Sequence, residues 1–184
     1  MMKPISTIFL CVFTILLASC GSSNEVENWD EFKVYYFDFD EVEYYQAHVS
    51  EASLSQMRQD KKADPKTKRF GDILEGNVPK SIADTSFLQE LDEFGFEYQI
   101  VPESKHYELN DLFREKSADP SETKIMDMSV YSSILVFKNE NQIVGIAKVC
   151  FGSSEIQIVG TDANTDRFGS CLGYRKLSDL LRRE

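Results

Sequence analysis

Three apolar-rich runs, Ser132–Phe137, Gln142–Phe151 and Glu155–Val159, are separated by Lys138-Asn139-Glu140-Asn141 and Gly152-Ser153-Ser154. Both joints carry turn residues, so the runs predict three strands in an antiparallel meander. Upstream, the aromatic run Lys33–Phe39 and the alternating run Val42–Val49 read as two strands of a hairpin turned at Asp40-Glu41. Ser50 then fits a helix N-cap, with Glu51 in the first turn and Leu54 and Met57 one turn apart, up to about Asp60. Arg58–Arg69 holds six bases against two acids and contains Asp64-Pro65, which reads as an exposed loop. Phe87, Leu88, Leu91 and Phe94 recur at helical spacing after Asp84-Thr85, and Gly95 stands where a helix would stop. Phe96–Val101 alternates as a strand, Tyr107 to about Lys116 reads as a short helix, and Ser117–Met128 as a long polar loop. Tyr174–Leu181 closes the chain as a helix with Leu177, Leu180 and Leu181 inward. This order predicts an α+β domain: an antiparallel sheet that includes the meander, with helices packed on one face.

The first residues follow a different pattern. Lys3 precedes Ile5–Leu17, an apolar run broken only by Ser6 and Thr14. As a helix that run spans roughly 20 Å, short of the ~30 Å hydrocarbon core of a bilayer. It reads as a signal peptide. The next residues, Leu17-Ala18-Ser19-Cys20, resemble the bacterial lipobox, in which an aliphatic residue, two small residues and a cysteine mark cleavage and lipid attachment. The resemblance implies a leader over residues 1–19, a lipidated Cys20, a polar tether over 20–31 and a single domain over 32–184. It implies no activity for that domain. Gly21 after Cys20 is not the aspartate of the inner-membrane retention signal, which favours an outer membrane where the cell has one.

Charge narrows the partners. The chain of 184 residues has 31 acids against 20 bases, a formal net charge of -11. Neutralising nucleic-acid phosphates is a poor role for it. Glu25–Glu43 alone holds eight acids and one lysine. Within it, Asp38, Asp40, Glu41 and Glu43 cluster at the expected turn, beside Tyr44 and Tyr45. These six residues are the expected contact surface for a basic protein partner, with charge steering the encounter and tyrosine supplying apolar area.

The remaining constellations are incomplete. Asp162-Ala163-Asn164-Thr165-Asp166 begins like a calcium loop, but Arg167 and Gly173 stand where glycine and a bidentate glutamate are needed. Gly169-Ser170-Cys171-Leu172-Gly173 has the spacing of a nucleophile elbow, yet both histidines, His48 and His106, lie upstream. Cys171 with one of them is the enzymatic alternative, a cysteine-dependent hydrolase. Cys150 and Cys171 are the two cysteines after Cys20, and outside the cytoplasm they are expected to pair as a disulfide. No ligand spacing for a metal or cofactor is complete. The sequence therefore points to an envelope lipoprotein whose domain binds and does not catalyse, of accessory or toxin-neutralising type. A small-ligand or glycan binder using the aromatic hairpin is the third reading.

Overall fold

The computed structural model describes residues 33–60, 62–116, 129–166, 168 and 171–182. Its centre is the meander. β3 (Ser133–Asn139) and β4 (Gln142–Cys150) are joined at Glu140 and Asn141, whose φ angles are 49° and 65°. Two consecutive left-handed residues give the tight turn whose twist matches paired strands. β5 (Glu155–Val159) returns along β4. β1 (Glu41–Gln46) lies between β3 and β2 (Glu97–Ile100), which completes a five-stranded antiparallel sheet in the order β2-β1-β3-β4-β5. Phe32–Glu184 forms one compact unit.

The hairpin expected at Asp40-Glu41 does not form. Glu41 opens β1, and the Asp40 amide donates to the Lys138 carbonyl. The apolar β3 is a better partner for β1 than the aromatic run before it. That run leaves the sheet and follows the chain after α3 (His106–Leu112). Tyr35 bridges Arg114, the Tyr36 amide donates to the Phe113 carbonyl, and Tyr36 and Phe37 are buried.

Helices cover both faces of the sheet, not one as the sequence suggested. Five consecutive residues of β3, Ser133–Phe137, are buried, so each face needs a cover. On one face Val42, Tyr44, Leu135, Phe137, Ala147 and Val149 pack against α3 and α4 (Cys171–Leu181). On the other, Ile134, Val136 and Ile146 pack against Leu54 of α1 (Glu51–Gln59), Ile73 and Leu74 of α2 (Pro65–Leu74), and Phe87 and Leu91. The second face is interrupted by a polar cross-strand pair, Lys148 and Gln157. Lys148 is fully buried and donates to the carbonyls of Ile73 and Val78. The Gln157 amide donates to those of Gly76 and Pro79. The pair staples the loop after α2 to the sheet.

Two further elements differ from expectation. The basic stretch around Asp64-Pro65 contains α2, with Asp64 as N-cap accepting from the Lys66 and Thr67 amides and proline in its first turn. The stretch around Phe87 forms two 3-10 turns, Ser86–Glu90 and Asp92–Phe94, ending at a left-handed Gly95. Thr85 makes no side-chain cap there. Among the described residues no helix is long and apolar enough to cross a membrane. The leader over 1–19, Cys20 and the tether over 20–31 lie outside the described residues.

Candidate functional site

Antiparallel register assembles the site. Glu43 stands opposite Ile100 and Tyr45 opposite Tyr98 on β2, while Glu41 stands opposite Lys138 on β3. Because side chains alternate along a strand, Glu41, Glu43, Tyr45, Tyr98, Ile100 and Lys138 share one face. They lie on the face that carries α1 and α2. Glu43 is the hub. Its carboxylate accepts from Lys138 Nζ at 2.5 Å, from the Tyr45 hydroxyl at 3.1 Å and from the Tyr98 hydroxyl at 3.3 Å. Lys138 also lies 3.3 Å from Glu41. The Tyr45 and Tyr98 rings are inclined at 52°, with centroids 5.2 Å apart.

The protonation states follow from this geometry. Burial, then the charge and hydrogen bond of Glu43, raise the Tyr45 and Tyr98 pKa values. Both hydroxyls therefore remain donors at neutral pH. Burial acts to lower the Lys138 pKa, but Glu43 and Glu41 outweigh it and hold the ammonium above its ordinary range. Lys138 is a fixed cation that organises the two glutamates.

An open groove of about 820 Å³ runs past this cluster, bounded also by Leu88, Asp92, Gly95, Phe96 and Glu97. Its walls mix aromatic surface with the acidic residues Glu43 and Asp92, while Glu97 lines it at the end of β2 and turns its carboxylate toward His48. Tyr98 is 49% exposed and Ile100 55% exposed. Such a surface suits an occupant with apolar area and positive charge.

Of the six expected contact residues, the groove contains Glu43 and Tyr45, with Glu41 beside them. Tyr44 points to the opposite face, where it is buried and its hydroxyl lies 3.1 Å from Ser133 Oγ. It offers no contact area to a partner, because neighbouring residues on a strand face opposite ways. Asp40 holds the β3–β4 turn by accepting from the Glu140 amide at 3.0 Å. The Asp38 carbonyl accepts from Asn139. These two aspartates brace a hairpin and stand outside the groove. Tyr98, Lys138, Asp92 and Glu97 were not singled out by sequence. They come from elements far along the chain that strand pairing brings to β1.

The other candidates stand elsewhere in the fold. His48 lies 3.7 Å from Glu97, and His106 lies near the Val101 carbonyl with its ring 5.2 Å from that of Phe39. Lys105, beside His106, donates to the Leu180 carbonyl at the far end of α4. Leu180 stands nine positions after Cys171, roughly 13 Å along the helix axis. A nucleophile elbow needs a strand running directly into it, whereas β5 ends at Val159, well before α4. Cys150 is a buried free thiol whose Sγ accepts from the Val130 amide. It shares the Lys148 face of β4, and α4 packs on the other face. The Cys171 side chain lies outside the described residues. In the Asp162–Asp166 loop, Asn164 Oδ1 accepts from the Asp166 amide, the closure of an Asx turn. Glu115 accepts from the Asn164 amide.

No protein-family model, curated protein or solved structure matches this chain.

Proposed function

We propose that the protein is a lipid-anchored envelope protein whose domain binds a protein partner and catalyses nothing. One observation carries the binding role: the groove in which Tyr45 and Tyr98 flank a hydrogen-bonded Glu43, with Asp92 on the rim. Glu43 already accepts three hydrogen bonds, so it is poorly placed to act as a general base. The same bonds hold both tyrosines in position, which lowers the entropic cost of docking against them. The partner is a protein with a basic, partly apolar surface. The anchor rests on Leu17-Ala18-Ser19-Cys20. Two or three acyl chains at Cys20 suffice for durable attachment.

The groove is tested by capture of a partner from solubilised envelope, followed by kinetics on the isolated complex. Tyr98→Ala is expected to speed dissociation by about thirtyfold, the effect of losing ~2 kcal/mol at an aromatic anchor. Asp92→Lys is expected to slow association in low salt, and the difference should shrink above about 0.15 M, where screening acts within ~8 Å. Tyr44→Phe, on the opposite face, is expected to leave both rates unchanged. Unchanged kinetics in the first two variants would overturn the groove. The anchor is tested separately: Cys20→Ser is expected to abolish acyl labelling and leave the leader uncleaved or the protein released.

A further inference from the structure

We propose that the α3–α4 side of the domain rests on an anionic phospholipid surface, through a basic patch beside the point where the tether enters the domain. The proposal rests on the lipid anchor proposed above and adds an orientation to it. The tether joins the described chain at Lys33. Directly after it, Val34 is 48% exposed and Tyr35 46% exposed, although the following Tyr36 and Phe37 are buried. The chain after α3 runs alongside. Tyr35 bridges Arg114, and the Glu115 amide donates to the Val34 carbonyl at 2.8 Å. Arg114 and Lys116 therefore flank the exposed tyrosine. α4 completes the patch. Tyr36 packs on Phe168, and Phe168 packs on Tyr174 of α4. Lys176 follows Leu172 by four residues, so the two share one side of α4, and Leu172 is half exposed.

Ion pairing is more extensive in the other basic stretch. On α1 and α2, Arg58, Lys66 and Arg69 are each paired with an acid, Glu75, Glu93 and Glu90, while Lys62 and Lys68 make no ion pair among the described residues. In the α3–α4 patch Arg114 is paired with Asp111, but Lys176 makes no ion pair among the described residues, and the Lys116 ammonium donates to the Asp111 carbonyl. The nearby Glu115 carboxylate accepts from the Asn164 amide. Burial, then the neighbouring charge of Arg114, lowers the Lys116 pKa, with Lys176 adding to the effect and Asp111 opposing it. An anionic surface would relieve that repulsion. Half-exposed tyrosine, valine and leucine among lysines and arginine match a headgroup layer, where amphipathic rings and basic groups gather.

Geometry and tethering support the same occupant. A chain of about 13 residues between Cys20 and Lys33 reaches at most ~45 Å, so the anchor keeps the patch near lipid. A contact too weak to hold free protein becomes populated at that effective concentration. The patch lies on the α3–α4 side of the sheet and the Tyr45–Tyr98 groove on the α1–α2 side. Resting on lipid by the first turns the second toward a partner.

The test uses protein purified from the native envelope and two vesicle types, phosphatidylcholine alone and phosphatidylcholine with about 30% phosphatidylglycerol. Flotation reports attachment, and amine acylation read residue by residue reports the footprint. Flotation with both vesicle types is expected. Acylation of Lys116 and Lys176 is expected to fall about threefold or more on the anionic vesicles only. It should recover in about 0.5 M salt, while Lys62 and Lys66 label equally throughout. Lys176→Glu with Arg175→Glu, both exposed positions, is expected to remove the footprint at Lys116 without changing flotation. Flotation with both vesicles but no footprint would overturn the patch and leave the anchor standing. Flotation with anionic vesicles alone would overturn the anchor and support the patch. Flotation with neither would overturn both.

Discussion

A Gly145→Val chain is expected to lose at least about 3 kcal/mol of stability and about 10 °C in Tm. A Cβ on Gly145 would sit 2.1 Å from Cε1 of Phe37 and within 2.4 Å of two more ring carbons. The ring has no easy escape. Its centroid lies 4.6 Å from that of Phe137 and 6.4 Å from those of Phe113 and Tyr36. Gly145 is also opposite Phe137 next to the irregularity in β3–β4 pairing, so backbone movement would disturb the centre of the sheet. Phe37→Ala alone is expected to cost about 3–5 kcal/mol through the cavity it leaves. In the double variant the valine methyls fill part of that cavity. The double loss should therefore be smaller than the two single losses added, by more than about 1 kcal/mol. Denaturant melts of the four chains measure this. Simple additivity would mean that Phe37 and Gly145 do not share the space.

Raising the pH from 7 to about 9.5 is expected to stabilise the domain, and Lys148→Met is expected to remove most of that rise. Lys148 is fully buried, and burial pushes its pKa down to about 7, with the charge of Lys80 adding to the effect. Tyr131 faces the ammonium with its ring, 5.6 Å away, and Gln157 stands opposite on β5. Cys150 lies two residues on along the same strand face, with Glu155 opposite it. No carboxylate pairs with Lys148 among the described residues. The unfolded lysine titrates near 10.5, so between pH 7 and 10.5 the unfolded chain holds a proton that the folded chain lacks. Stability from this group is therefore lowest below pH 7 and climbs above it. At about 1.4 kcal/mol per pH unit the full interval bounds the gain at about 5 kcal/mol. The window closes near pH 10 from another side. Tyr44, Tyr45 and Tyr131 have raised pKa values and Tyr36 is pushed up to about 12, all chiefly by burial. Their ionisation in the unfolded chain favours unfolding at higher pH. Lys148→Met also leaves the Ile73 and Val78 carbonyls without that donor, at about 1–3 kcal/mol each. The variant should thus be less stable than wild type at pH 9.5, with the gap narrowing toward pH 6. A gap independent of pH would show that Lys148 keeps an ordinary pKa.

The meander was legible because local signals agreed: polar turn residues at Glu140-Asn141 between apolar-rich runs. The β3 run Ser132–Phe137 also carried a warning against a one-sided cover, since unbroken apolar sequence marks a strand buried on both faces. α2 was legible and misread. Asp64 followed by Pro65 is an N-cap and first-turn proline as much as a turn, and the bases around it suggested exposure. Their partners, Glu75, Glu90 and Glu93, are supplied by tertiary structure. The aromatic run Lys33–Phe39 has strand composition, yet its rings fill the end of a core and its backbone pairs mainly with the chain after α3. The groove was only half visible. Glu43 and Tyr45 stand in the segment that sequence singled out, but Tyr98 and Lys138 join them through strand register, which no local pattern encodes. Tyr44 has the same composition signal as Tyr45, but strand alternation turns it inward.

The most direct test of the binding role is photocrosslinking in living cells, with a photoreactive residue replacing Tyr98 in one strain and Tyr107 in another. Tyr107 is the more exposed, at 83%, but lies on α3, away from the groove. A single envelope protein is expected to crosslink at position 98 and to be absent from position 107. No adduct at position 98, or the same adducts from both positions, would contradict a binding groove between Tyr45 and Tyr98.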